Sequence, residues 1–141
     1  MAKYQLIERI PTVDELFALR GWVGWQLGEK DAFSKGLDRS LYGVCAMIDG
    51  EVVGIARVVG DGFTCFYIQD VIVKPEFQKM GIGKSLMGKV MQYITKNATT
   101  GAIVGLMAAK GKESFYEKFG FWRRPNEYFG HGMMQFWNRT Y

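Results

Sequence analysis

The sequence predicts an α/β domain of the α+β kind: a mixed, mostly antiparallel sheet with flanking helices. Three observations carry that reading. Two apolar runs, Leu41 to Ile48 and Glu51 to Val59, meet at Asp49-Gly50, the dipeptide favoured in tight hairpin turns. A third long run, Phe63 to Val73 (FTCFYIQDVIV), follows the turn Gly60-Asp61-Gly62. Then an amphipathic segment, with Ile82, Leu86, Val90 and Ile94 at helical spacing, separates that strand from another apolar run, Ala102 to Ala108. A hairpin meander followed by a β-α-β crossover requires a mixed sheet with helices against it.

Taken in order, Tyr4 to Ile10 alternates enough for a first strand, stopped by Pro11. Thr12-Val13-Asp14-Glu15 is a capping box, in which the Thr12 hydroxyl and the Glu15 carboxylate satisfy free amides at a helix start. The helix it opens buries Leu16 and Leu19 and ends near Gly21. GWVGWQLGEKDAF reads as a glycine-broken loop, with a short second helix around Ala32 to Ser40. After the meander, the long helix is expected from about Gly81 to Asn97, with Lys89, Gln92 and Lys96 on its polar side. A short helix from Ser114 to Phe119 closes at Gly120, and the tail, including MMQFWNR, is expected to supply one more strand. The predicted order is β-α-α-β-β-β-α-β-α-β, which does not suit a doubly wound dinucleotide fold.

The 141 residues fit one domain, 1–141, with a single core. Hydrophobic residues make up 48% and aromatic residues 15%, which excludes a disordered tail. The net charge of +4 is unclustered; it favours an anionic ligand but does not argue for nucleic acid. No apolar run approaches a membrane span, and MAKYQLIERI lacks the features of a signal peptide, so a cytoplasmic protein is expected. Cys45 and Cys65 lie in apolar runs and are expected as buried, reduced thiols. His131 is the only histidine, so no histidine-based metal site is expected and no metal is assigned.

The stretch PEFQKMGIGKSLM, Pro75 to Met87, holds fragments of two nucleotide motifs. A Walker A loop would need glycine at Gln78, five positions before Gly83, and it is absent. The dinucleotide fingerprint laid on Gly81 and Gly83 needs a third glycine at Leu86, and fails as well. What remains is Gln78-Lys79-Met80-Gly81-Ile82-Gly83 between a long strand and a helix. Glycines there let backbone approach a ligand, and the free amides of a first helical turn suit a pyrophosphate. Gln78, Lys79 and Lys84 can add donors; a ligand-free turn is the alternative.

VIVKPEFQKMGIG resembles the acetyl-CoA signature of the GNAT superfamily of N-acetyltransferases, (Q/R)-x-x-G-x-(G/A) after a V-x-P strand end. A second element, Phe115-Tyr116-Glu117-Lys118-Phe119-Gly120-Phe121, resembles that family's FYxxxGF. Together they cover Phe63 to Phe121, about two-fifths of the chain, and the preceding meander matches the family order. The resemblance implies a GNAT-like acyl-CoA N-acyltransferase fold and acetyl-CoA as the acetyl donor. The backbone of Val71, Ile72 and Val73 would pair with the pantetheine arm, and the amides from Gln78 through Met80, Gly81, Ile82 and Gly83 to Lys84 would hold the pyrophosphate.

The resemblance also implies that Tyr116 lies near the thioester sulfur and protonates the departing thiolate, since direct attack by an amine leaves a thiolate that needs a proton. Relatives that use a glutamate or histidine base carry it where this chain has Tyr67 and Gln69, neither of which can serve. Asp70 is the nearest acid and the candidate catalytic carboxylate, although alternation aims it away from those positions unless a bulge re-aims it. A structural carboxylate tying down a neighbouring loop is the alternative for Asp70. An asparagine seven residues before the tyrosine in many relatives is Ala109 here, so one cofactor contact must be made otherwise. Acceptor selection is expected from Arg20 to Ala32 and Tyr128 to Trp137. Trp22, Trp25, Phe129, Met133 and Met134 are candidate pocket walls, and Glu29, Asp31 and Asp38 candidate attractors of a cationic amine. The expected partner is a small-molecule or peptide amine, with no nucleic acid and no membrane. Dimerisation is common among such domains, but nothing in the chain decides it. A non-catalytic acyl-CoA-binding or sensor domain of the same fold is the competing function.

Overall fold

A computed structural model describes residues 3–138. Within the span expected as one domain, the chain groups into two compact units, Met1–Leu106 and Met107–Tyr141. In the first, the capping box at Thr12 forms as its residues require. The Glu15 amide donates to Thr12 Oγ1 at 3.1 Å, and the Thr12 amide donates to Glu15 Oε1 at 2.8 Å. Arg9 grips the same carboxylate with both Nη atoms at 2.8 Å. Helix α1, Val13–Trp22, follows and buries Leu16 and Leu19; α2, Lys30–Asp38, buries Leu37.

The sheet has five strands: β1 Gln5–Ile7, β2 Tyr42–Ile48, β3 Glu51–Gly60, β4 Cys65–Val73 and β5 Ile103–Leu106. They lie in chain order, antiparallel except for the parallel pair β4–β5. Asp49 and Gly50 both have positive φ, 49° and 78°, as a tight hairpin turn of the inverted kind demands. Helix α3, Ile82–Asn97, makes the crossover to β5 and buries Ile82, Leu86, Met87, Val90 and Ile94.

The two sheet faces are told apart at Gly54 and Ile55. A Cβ on Gly54 would stand 3.1 Å from Ile82 Cγ2 and 3.2 Å from Leu86 Cδ1, so this glycine is what lets α3 settle on β3. The next residue, Ile55, points the other way, into a cluster with Leu16, Leu19, Leu37, Cys45 and Ile72. Thus α1 and α2 cover one face and α3 the other.

In the second unit the described residues contain one helix, α4, Glu113–Glu117, and turns. The strand expected in MMQFWNR does not form across residues 133–138, and Arg139 lies outside the described residues. The physical reason is in the pattern. Met133-Met134-Gln135-Phe136-Trp137 does not alternate apolar with polar, and Met133 and Trp137 are 87% and 81% exposed. The first strand is also shorter than expected, because the Arg9 amide turns back to the Ile7 carbonyl at 3.1 Å.

Candidate active site

The parallel ladder between β4 and β5 covers only Cys65 to Ile68, paired with Ile103 to Leu106. Beyond it β4 continues from Gln69 to Val73, held on its other edge by β3. That second ladder is irregular. Arg57 pairs with Gln69 and Ile55 pairs with Ile72, so Asp70 and Val71 together oppose Ala56. This is a β-bulge, and its extra residue is Asp70, at φ 58°.

The bulge re-aims the carboxylate. Residues paired in register project to the same face, so Gln69 lies on the Arg57 side of the sheet, the side that carries α1. Asp70 reaches that side too. Its Oδ1 accepts from Arg20 Nε at 3.1 Å and Nη2 at 2.7 Å, and its Oδ2 accepts from Arg57 Nε at 2.9 Å. The Asp70 side chain is fully buried, and those of Arg20 and Arg57 are only 10% and 11% exposed. Arg20 in turn stacks over the Phe33 ring at 4.7 Å, and Arg57 Nη1 donates to Ser40 Oγ at 3.1 Å. Both oxygens of Asp70 are thus occupied by guanidinium donors. With two donors on Oδ1, one on Oδ2 and no exposed surface, the carboxylate is closed to solvent.

After Val73 the chain is anchored by the Lys74 amide, which donates to the Val53 carbonyl at 2.8 Å. Lys74 Nζ pairs with Glu51 and Glu76, each at 2.9 Å, and lies 4.7 Å from the Trp22 ring centre. A turn of 3-10 helix, Pro75–Phe77, leads into the loop. The Gln78 side chain folds back and donates to the Val73 carbonyl at 3.0 Å, so it ties the loop to the strand end. Lys79 and Gly81 take positive φ, 69° and 83°, and Gly81 is the cap residue of α3.

The first intrahelical bond of α3 runs from the Ser85 amide to the Gly81 carbonyl at 3.0 Å. The amides of Ile82, Gly83 and Lys84 therefore have no acceptor within the helix and sit at its positive end. A Cβ at Gly81 would meet nothing within 4 Å, so the space over this turn is open. The Ile82 side chain is buried and fixes the helix start, whereas Lys79 and Lys84 are exposed. Met80 is half-buried. Free amides, open space and flanking lysines fit a diphosphate.

Tyr116 belongs to the second unit, on α4. Its ring packs edge-on to Phe115 at 5.0 Å and to Phe121 at 6.4 Å. Burial there raises the phenol above its ordinary pKa of 10.0, because the ionised form is poorly solvated. The hydroxyl therefore stays protonated through the neutral range, as a proton donor must. Ala109 accepts with its carbonyl from the Lys112 amide at 2.9 Å, in the turn that precedes α4.

The acceptor-side candidates are spread over both units. Trp22 lies against Lys74, and Phe129 stacks on Trp122 at 6.1 Å under the Arg124 guanidinium. Trp25 is exposed, as are Glu29, Asp31 and Asp38, and Met133 and Met134 are exposed in the second unit. Asp61 is a turn residue. It accepts from the amides of Phe63, Thr64 and Cys65 and from the Thr64 hydroxyl, which hold its carboxyl well below the usual range. Cys65 is exposed, contrary to expectation, since it precedes Phe66 and faces the opposite way from that buried ring. The pairing of Arg20 and Arg57 with Asp70 escaped the sequence reading. Nothing in linear spacing joins residues fifty apart, and only the acid at Asp70 hinted at a partner.

The five-stranded mixed sheet, with its flanking helices, open strand edge and glycine-capped helix start, has the fold of acetyltransferase structures. A model of the Acetyltransferase (GNAT) family matches residues 10–121, and the chain belongs to that family. An uncharacterized N-acetyltransferase, ycf52-like, of Prochlorococcus marinus is 30% identical over 85% of this chain and 69% of its own length. The ycf52 N-acetyltransferase of Pyropia yezoensis, also uncharacterized, is 33% identical over 55% of this chain, which spans 44% of that protein. Among solved structures, a GNAT family acetyltransferase of Streptococcus pneumoniae TIGR4 superposes with a TM-score of 0.80 at 28% identity, covering 97% of this chain and 100% of that one. A protein of unknown function from meticillin-resistant Staphylococcus aureus gives 0.85 at 29% identity, covering 94% and 100%.

Proposed function

We propose that this acetyltransferase moves the acetyl group of acetyl-CoA to a primary amine by direct attack in a ternary complex. The observation that carries the reading is the pairing of two features in one unit: a β4 edge left open past Ile68, and the unbonded amides of α3 just after it. An extended pantetheine arm adds to the strand edge at Val71, Ile72 and Val73 through backbone hydrogen bonds. The pyrophosphate takes the amides from Lys79 to Lys84, with Lys79 and Lys84 screening its charge; the Gln78 amide, expected among them, instead donates to the Pro75 carbonyl at 3.2 Å.

In the reaction the amine nitrogen forms a bond to the thioester carbonyl carbon, and the carbon–sulfur bond breaks. The amine loses a proton to water, and Tyr116 gives its phenol proton to the CoA thiolate. A backbone amide of the bulged strand is suited to the developing oxyanion. Asp70 is assigned a holding role rather than that of base, because both of its oxygens accept from guanidinium N–H groups and its side chain has no exposed surface. Cys45 is buried and its thiol donates to the Arg9 carbonyl at 3.7 Å, which supports a route without an acyl-enzyme.

The lack of a free carboxylate on β4 is the observation that favours the competing reading, a non-catalytic acyl-CoA sensor. Thermal unfolding with acetyl-CoA, ATP and NAD tests the shared part. Acetyl-CoA at about 100 times its dissociation constant should add roughly 2.7 kcal/mol, with no shift from the other two. A flat response to acetyl-CoA defeats both readings. A shift followed by release of free thiol with some amine separates the enzyme from the sensor.

A further inference from the structure

We propose that Arg20 and Arg57, through Asp70, are positioning residues for the acyl-CoA arm: their clamp holds the β4 bulge and so selects which backbone groups of residues 71–73 face the open edge. This rests on the acyl-CoA reading above.

The bulge is not a local preference of the chain. At φ 58°, Asp70 occupies the left-handed region, which is unfavourable for most L-residues and tolerable for aspartate. Left to pair regularly, Asp70 would oppose Ala56, between Gly54 and Val58, and send its carboxylate to the α3 face. That face is lined by Ile82 and Leu86, which offer a carboxylate no donor. On the α1 face it meets three guanidinium N–H donors instead.

The consequence for the edge is a matter of parity. Removing the extra residue would shift Val71, Ile72 and Val73 by one place against β3, and each would change faces. Ile72 would leave the cluster it shares with Leu16, Leu19 and Ile55. The amides now aimed at the β3 side would turn to the open edge, and those at the open edge would turn inward. Arg20 is set by Phe33 of α2 and Arg57 by Ser40 just past it, so the clamp joins α1, α2 and β3 to the register of β4.

The test compares CoA affinity by calorimetry in wild type, Asp70→Asn, Arg57→Gln and a control, Ile94→Ala, which loosens α3 away from the bulge. Asp70→Asn keeps the left-handed backbone accessible but removes the charge; Arg57→Gln leaves Asp70 with Arg20 and serves if the first variant does not fold. The clamp variants should bind CoA at least about 10-fold more weakly, the equivalent of one or two misplaced neutral hydrogen bonds, while Ile94→Ala stays within about twofold. Wild-type affinity in both clamp variants overturns the proposal, as does an equal loss in Ile94→Ala. A wild type that does not bind CoA overturns the acyl-CoA reading instead. Amide exchange then reads the clamp without ligand, and unchanged protection at Val71, Ile72 and Val73 in Asp70→Asn would sink the register role.

Discussion

Asp70 Oδ1 accepts from Arg20 Nη2 at 2.7 Å, across fifty positions of sequence. The bond joins the first helix to the strand that carries the open edge, in a pocket where the carboxylate has no exposed surface. Charges buried in this way gain from close, well-aligned donors and lose heavily when one partner is removed. Asp70 is therefore fixed in place as a brace, and the proton donor of the proposed reaction is a residue elsewhere.

Tyr116 is that residue in our reading, and Tyr116→Phe separates enzyme from sensor. The substitution keeps the ring that packs on Phe115 and Phe121, so CoA affinity should persist while kcat drops by about 10² to 10⁴. Because burial raises the phenol above 10.0, the acid is retained up to that pH and lost only above it. The wild-type kcat profile should show no alkaline fall between pH 7 and pH 10. A fall centred in that window, and absent from Tyr116→Phe, would contradict the raised value.

Gly54→Val probes the seat of α3. The added Cβ alone would come within 3.2 Å of both Ile82 and Leu86, and valine brings two further methyl carbons to the same contact. Overpacking of this kind costs about 1–3 kcal/mol. Chemical denaturation should show that loss of stability, and CoA binding should weaken with it, since Ile82 opens the helix whose amides face the ligand. An unchanged midpoint would mean that α3 sits farther from β3 than described.

The two thiols should behave differently. Burial pushes Cys45 up to about 11, and its side chain is inaccessible, whereas Cys65 is exposed. Titration with an aromatic disulfide at pH 8 should modify Cys65 in the native protein and reach Cys45 only on unfolding. Equal rates for both thiols, or protection of Cys65, would contradict the faces assigned to β2 and β4.

Much of the fold was legible because it rests on local signals. Thr12 and Glu15 mark a helix start by chemistry within four residues, Asp49-Gly50 names its own turn, and Ile82 to Ile94 carries a helical period in its apolar side chains. The turn from Gln78 to Lys84 was legible for the same reason: it is one contiguous stretch, and Gly81 at positive φ reports the backbone conformation directly. The tail misled because Met133 to Trp137 is apolar without alternating, so composition suggested a strand that the pattern does not support. Cys65 misled in the same way, an apolar neighbourhood hiding a side chain that faces outward.

By itself, then, the sequence determined the elements and their order as far as α4, the glycine-capped helix start and the membership of an acetyltransferase family, because each is written in neighbouring residues. Only the tertiary structure decided where the Asp70 carboxylate points and what holds it. Its spacing could not show this, for it depends on whether a bulge turns the residue toward Arg20 and Arg57. The bulge is settled by burial and charge pairing among α1, β3 and β4, contacts that exist only once the chain has folded.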